Sequence, residues 1–142
     1  MLFVEKHDKT LRLCVGYRRL NAITIKDVYP TPRVDTAIDI MKDSRFFAKI
    51  DIRSGCYQIR VNPEDVLKTA LQTEWASFQW LVTPFGITNA HSISQRNMDM
   101  IFDDMRHFTK VYMDDIVVHS ISWAEHLENV KAVLHAWVKP NS

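Results

Sequence analysis

Three aspartates carry the densest chemistry in this sequence: Asp51, and the adjacent pair Asp114 and Asp115 later in the chain. Carboxylates are the hard oxygen donors that Mg2+ takes. Two-metal phosphoryl transfer uses them to hold a pair of ions about 3.5–4 Å apart, one activating the attacking hydroxyl and one steadying the leaving oxygen. Spacing alone leaves a plainer reading open, because Asp-Asp is also ordinary turn chemistry: both residues tolerate turn backbone and prefer water. The choice depends on whether the fold brings Asp51 beside the pair.

The flanking residues predict how it would. Phe46 to Ile52 is a short apolar run suited to a buried strand, and Arg53-Ser54-Gly55 breaks it, so Asp51 falls at the strand's carboxyl end. Val111-Tyr112 and Ile116-Val117-Val118 are two β-prone runs around Met113-Asp114-Asp115, a tight strand-turn-strand unit with its carboxylates at the tip. On adjacent strand ends Asp51 and Asp114 would face each other across the sheet. Asp115, with its side chain on the other side, would have the weaker role.

Leu11 to Tyr17 reads as a further strand, and Asn21 to Pro32, with two prolines and little periodicity, reads as an ordered loop. Val34, Ala37, Ile38 and Met41 recur at helical spacing, with Pro32 near the start and Asp43-Ser44 at the end. Thr69 to Thr73 and Phe78 to Val82 suit a hairpin around the four-residue loop Glu74 to Ser77, and Pro84-Phe85-Gly86 turns the chain. Ile93, Met98, Ile101, Phe102 and Met105 predict a helix from about Ala90 to Met105. Ser122 with Glu125 forms a capping box ahead of a last helix whose stripe is Leu127, Val130, Leu134 and Trp137. Strands and helices mix without strict alternation, which predicts an α+β fold: an antiparallel sheet with helices packed on one face. The sequence contains no internal repeat or low-complexity tract, and it predicts a single domain.

With 142 residues, 46% of them apolar, the chain can bury one core without metals or disulfides. Its two cysteines, Cys14 and Cys56, lack zinc-site spacing and fit a reducing compartment. No apolar run approaches the roughly 20 residues that span a bilayer, and Met1 to Val4 is too short for a signal-peptide core. These features predict an intracellular protein, cytoplasmic or nuclear, neither secreted nor membrane-bound. Net charge is +1, but residues 1–60 hold 12 Lys and Arg against 7 Asp and Glu, and residues 61–142 hold 6 against 10. A basic half and an acidic half suit a surface that holds phosphates beside carboxylates that hold cations.

Tyr112-Met113-Asp114-Asp115 resembles the central catalytic motif of reverse transcriptases. Lys49-Ile50-Asp51-Ile52-Arg53-Ser54-Gly55 with Gln58-Ile59-Arg60 resembles the block holding the first catalytic aspartate in Ty3/gypsy long-terminal-repeat retrotransposons. Pro84-Phe85-Gly86-Ile87-Thr88-Asn89-Ala90 with Gln95-Arg96 resembles the loop and helix between them. Arg12-Leu13-Cys14-Val15 with Tyr17-Arg18-Arg19-Leu20-Asn21, and Tyr29-Pro30-Thr31-Pro32-Arg33, resemble fingers segments. Five blocks in order make a specific signal.

The resemblance implies an RNA-directed DNA polymerase fragment of a retrotransposon Pol polyprotein, incomplete at both ends and lacking a thumb. Residues 1–45 and 60–85 would be mainly fingers, and 46–59 and 86–142 mainly palm. It implies Asp51, Asp114 and Asp115 as metal-binding catalytic residues for Mg2+, with Mn2+ as a substitute, joined by the backbone carbonyl of Ile52. Arg12 would clamp the triphosphate of an incoming deoxynucleotide, suited by its planar fork, with Lys6 assisting. Cys56 and Phe85 would lie at the sugar, and Gln95, Arg96, Tyr112 and Met113 near template and primer. Implied partners are an RNA template, a DNA primer, deoxynucleoside triphosphates, and other Pol segments or a second subunit.

Four positions depart from that pattern: Gly16 stands for Asp, His91 for Pro, Ser94 for an aromatic and Cys56 for Tyr. A small Cys56 would leave room for a 2′-hydroxyl, while neighbouring Tyr57 would point to the opposite face of a strand. Ser94 removes apolar bulk from a packing helix. These departures set a second reading beside the first, a decayed or repurposed copy serving as a nucleic-acid-binding or assembly module. A third, a metal-dependent nuclease, shares the carboxylates but leaves the nucleotide-side residues unexplained.

Overall fold

Period-two burial builds the sheet that carries the aspartates: along Phe46–Asp51, residues 46, 48 and 50 turn inward while 47, 49 and 51 stay exposed. The computed structural model describes residues 2–5, 9–30, 34–53 and 55–138. In chain order its strands are β1 (Leu2–Glu5), β2 (Leu11–Cys14), β3 (Phe46–Asp51), β4 (Leu71–Gln72), β5 (Ser77–Phe78), β6 (Thr109–Tyr112) and β7 (Asp115–Ser120). Its helices are α1 (Arg18–Ile23), α2 (Val34–Met41), α3 (Ala90–Ile101) and α4 (Trp123–Val138). The chain divides into two units, residues 1–27 with 54–91, and residues 28–53 with 92–142.

The second unit contains a three-stranded antiparallel sheet in the order β3-β7-β6. Its inner face meets both long helices: Met98 of α3, Phe102 just beyond its end and Val133 of α4 pack with Ile52, Val111, Ile116 and Val118. Each such side chain contributes about 1.5–3 kcal/mol of burial. Residues 28–45, grouped above with the fingers, fall in this unit, because Ala37 and Ile40 of α2 line a cavity with Phe102 and Val111. Residues 54–59, grouped above with the palm, fall in the other. Pro32, expected at the start of α2, lies outside the described residues.

Helix α4 begins as the capping box predicts, with Ser122 Oγ accepting the Glu125 N–H at 3.3 Å. Glu125 then bonds the N–H of Ile121 at 3.2 Å instead of that of Ser122. The buried stripe is rotated from the expected one. His126 and Val133 are buried with Val130 and Trp137 beside them, while Leu127 and Leu134 are 44% and 49% exposed. His126 Nδ1 shares a hydrogen bond of 3.1 Å with Ser120 Oγ, which draws its side of the helix onto the sheet. Helix α3 ends at Ile101, and the expected residues up to Met105 tighten into a 3-10 turn, Asp103–Met105.

In the first unit β2 stops at Cys14 rather than Tyr17 and pairs with β1, which sequence periodicity did not reveal. Tyr17 is buried and donates its hydroxyl to the carbonyl of Thr69 at 3.1 Å, at the N-cap of α1. The stretch expected to be loop from Asn21 therefore starts inside a helix. The rest is tied down by side chains: Asn21 bonds Gly86 O and the Thr88 N–H, and Asn89 bonds Ile25 O and the Asp27 N–H. The hairpin β4–β5 has the expected four-residue loop, one residue earlier, with Thr73 Oγ1 accepting the Trp75 and Ala76 N–H groups. It is shorter than expected because a 3-10 helix, Pro63–Thr69, takes the residues before it. A second 3-10 turn, Gly55–Gln58, follows β3.

Candidate active site

The antiparallel register sets Asp51 of β3 opposite Asp115 of β7, and Asp115 in turn opposite Tyr112 of β6. Cross-strand partners share a face, so Asp51 and Asp115 stand together on the face turned away from the core. This corrects the expectation that Asp114 would face Asp51. The connection between β6 and β7 has two residues, Met113 and Asp114, so Asp115 already belongs to the strand. Asp114 sits in the turn, half-buried, and its carbonyl accepts the Ile52 N–H at 2.7 Å. That bond ties the end of β3 to the turn. The side chain of Ile52 itself belongs to the core.

Two residues before Asp51 on the same face, Lys49 reaches Asp115: Nζ to Oδ2 is 2.9 Å. The hydrogen bond and charge of Asp115, helped by the charge of Asp51, hold the Lys49 ammonium above its ordinary value. Sequence reasoning missed Lys49, although its two-residue spacing from Asp51 was the available signal.

Met113 adopts φ 55°, a positive value that its neighbour Asp114 does not share. Left-handed backbone suits glycine, and a side chain there costs on the order of 1–3 kcal/mol and persists only where its surroundings enforce it. Here Gln95 of α3, with 0% of its surface exposed, accepts the Met113 N–H on Oε1 at 3.0 Å. Its Nε2 donates to the carbonyl of Val111 at 3.1 Å and to Asp99 Oδ1 at 3.0 Å. Gln95 had been expected only on a helix near the template. Arg96 beside it is exposed, its guanidinium 5.1 Å from the centre of the Tyr29 ring.

The donor set fits Mg2+ in kind, with two carboxylates on one face and a third on the adjoining turn. Among the described residues no three His, Cys, Asp or Glu side chains gather into a metal-holding cluster. Mg2+ commonly takes only one or two carboxylates and completes its shell with water and substrate phosphates. A finished protein cage is therefore not what this chemistry needs.

The other proposed site residues belong to the first unit. Arg12 lies on β2 paired with Val4, and Lys6 lies outside the described residues. Cys56 is 1% exposed within the 3-10 turn Gly55–Gln58, so the alternation of a strand does not govern Cys56 and Tyr57. Tyr57 stacks on Trp80, centroids 5.6 Å apart, and meets the Phe85 ring edge-on at 4.8 Å. Among the described residues no helix is long and apolar enough to cross a membrane.

Residues 4–141 match the family described as "Reverse transcriptase (RNA-dependent DNA polymerase)". The chain is 40% identical over 130 residues to an RNA-directed DNA polymerase homolog of Oenothera berteroana, covering 89% of this chain and 92% of that one. It is 36% identical over 137 residues to the retrovirus-related Pol polyprotein from transposon opus of Drosophila melanogaster, but spans only 14% of that polyprotein. Among solved structures, the foamy viral protease-reverse transcriptase in complex with double-stranded DNA matches with TM-score 0.84 over 96% of this chain and 24% of that one. Identity there is 19%, so the likeness is one of fold.

Proposed function

We propose that this chain, which belongs to the reverse transcriptase family, supplies the catalytic carboxylates of an RNA-directed DNA polymerase within a Ty3/gypsy-type Pol polyprotein. The observation that carries the proposal is the register that sets Asp51 beside Asp115, with Asp114 on the turn joined to them. Family membership and the retroelement relatives support the polymerase reading over a nuclease.

In this reading Asp51, Asp114 and Asp115 together would hold Mg2+, the charge of Asp115 partly offset by Lys49. When bound, the ions supply electrophilic stabilisation to a primer hydroxyl and to the triphosphate it attacks. The chain's own part is to hold the carboxylates rigidly enough that little reorganisation accompanies the reaction. Template RNA, primer DNA and deoxynucleoside triphosphates are the proposed partners, and the basic N-terminal half is suited to their phosphates.

Calorimetric titration of the chain with Mn2+ tests the metal reading. The parent should bind, and an Asp51→Asn, Asp114→Asn double variant should lose the binding. Equal affinity in the two would refute it.

A further inference from the structure

The turn that carries Asp114 and leads into Asp115 is held by a hydrogen-bond chain that begins on a segment distant in sequence. Gln95 has one carbonyl oxygen and two amide protons, and all three are used, on Met113, Val111 and Asp99. Its partners also fix which way the amide points: the Met113 N–H requires an acceptor, and the carbonyl of Val111 and the Asp99 carboxylate require donors. Asp99, one helical turn beyond Gln95 on α3, uses its other oxygen, Oδ2, to accept the Tyr29 hydroxyl at 2.7 Å. That distance is the ordinary one for an O–H···O hydrogen bond. The Tyr29 ring is steadied in turn by the guanidinium of Arg96.

We infer that Tyr29 is a positioning residue for the carboxylate turn, acting through Asp99 and Gln95 on the backbone of Met113. The inference rests on the reading of Asp51, Asp114 and Asp115 as catalytic carboxylates, and deepens it. Asp99 is only half-buried, so without the Tyr29 hydroxyl its carboxylate can swing toward water. Gln95 is fully buried and cannot follow. It then loses one of the partners that orient its amide, and with it the alignment of Oε1 toward Met113. Because Met113 occupies a backbone region unfavourable to its side chain, the turn depends on that bond more than an ordinary hairpin would. The hydrogen bond to Asp99 raises the Tyr29 hydroxyl above its ordinary value, so it remains a donor throughout the neutral range.

Tyr29→Phe removes the hydroxyl and keeps the ring, whereas Gln95→Ala empties a fully buried position and risks the fold. Both are to be made in the whole chain and read by amide hydrogen exchange at Met113, with Ile116 and Val118 of the same sheet as internal references, and by Mn2+ titration. In Tyr29→Phe, exchange at Met113 should rise about tenfold relative to the two references, and Mn2+ should bind about three- to tenfold more weakly. Exchange at Met113 that stays unchanged, or moves only in step with Ile116 and Val118, overturns the inference. So does faster Met113 exchange with Mn2+ affinity intact, since the turn would then be held without positioning its carboxylates. Absence of Mn2+ binding in the parent refutes the functional reading instead, and the response at Met113 still decides whether Tyr29 governs the turn.

Discussion

Lys49 Nζ lies 2.9 Å from Asp115 Oδ2, so the carboxylate opposite Asp51 is already engaged by a cation of the chain's own. A metal arriving at this face meets Lys49 as a competitor and as a like charge. Lys49→Met should therefore strengthen Mn2+ binding by about two- to fivefold, the scale of an exposed ion pair. The gain should shrink as salt is raised. Titration calorimetry at two ionic strengths checks this, and weaker binding in the variant would make Lys49 a support of the site rather than its competitor.

His119 of β7 predicts acid lability. It is 5% exposed, its Nδ1 is 2.9 Å from Ser44 Oγ, and its Nε2 is buried without a hydrogen-bond partner among the described residues. Burial, followed by the charge of Lys110, pushes its pKa below the ordinary value; Glu125 opposes them, and His107 adds the smallest lowering effect. The unfolded chain thus takes up this proton at a higher pH than the folded one. Stability from neutral His119 is complete above about pH 6.5 and is lost as pH falls below it. Melting temperature should fall more steeply between pH 7.5 and 5 in the parent than in His119→Gln. Parallel curves would exclude His119 as the source.

What was legible in the sequence was local. The apolar run Phe46 to Ile52 and the paired β-prone runs around Asp114 identified the strands and put the acids at their ends, whereas the alternating exposure along Phe46–Asp51 emerged only in the structure. The face on which each acid lies was not legible, because a two-residue instead of a three-residue turn moves Asp115 into the strand, and a one-residue shift exchanges faces. Helix α4 offered two apolar stripes sharing Val130 and Trp137. The choice between them rests on the His126 to Ser120 bond, whose formation depends on the packing of helix on sheet. In the sequence Gln95 is a polar break in the stripe of α3 and, by the resemblance, a residue near template and primer, neither of which points to the turn it holds. Its reason lies in three partners, of which two, Val111 and Met113, belong to the hairpin strand and turn.

Ser94, read from sequence as lost apolar bulk, is 1% exposed and its Oγ has no hydrogen-bond partner among the described residues. A buried hydroxyl left unsatisfied costs about 1–3 kcal/mol. Ser94→Ala removes it without adding volume and should raise stability by about 1 kcal/mol, a few degrees in melting temperature for a chain of this size. A lower melting temperature would show that the hydroxyl is satisfied in solution.

Gly86 has φ +97°, and a Cβ built there would lie 3.3 Å from the carbonyl oxygen of Val15. Both the backbone region and the contact oppose a side chain, so Gly86→Ala should destabilise by about 1–3 kcal/mol. Urea unfolding measures this, and a midpoint equal to that of the parent would contradict the left-handed conformation.

Cys56 tests the nucleotide side independently of any metal. It is 1% exposed in a 3-10 turn beside buried Gly55, whereas Cys14 on β2 is half-buried. A thiol reagent should therefore label Cys14 first and reach Cys56 only through opening of the fold, with two reactive thiols appearing together in denaturant. The same burial bears on Cys56→Tyr, the substitution that would restore the aromatic expected at a sugar-discriminating position. Forcing a ring into a packed site costs about 1–3 kcal/mol or more, so the variant should melt below the parent and below Cys56→Ala. Any change in the ratio of deoxy- to ribonucleotide use by Cys56→Tyr would then have to be corrected for lost fold before it is credited to a clash with the 2′-hydroxyl. A Cys56→Tyr chain that melts with the parent overturns this prediction, because the ring must then have found open space beside residue 56, which is the space a sugar-gating side chain requires.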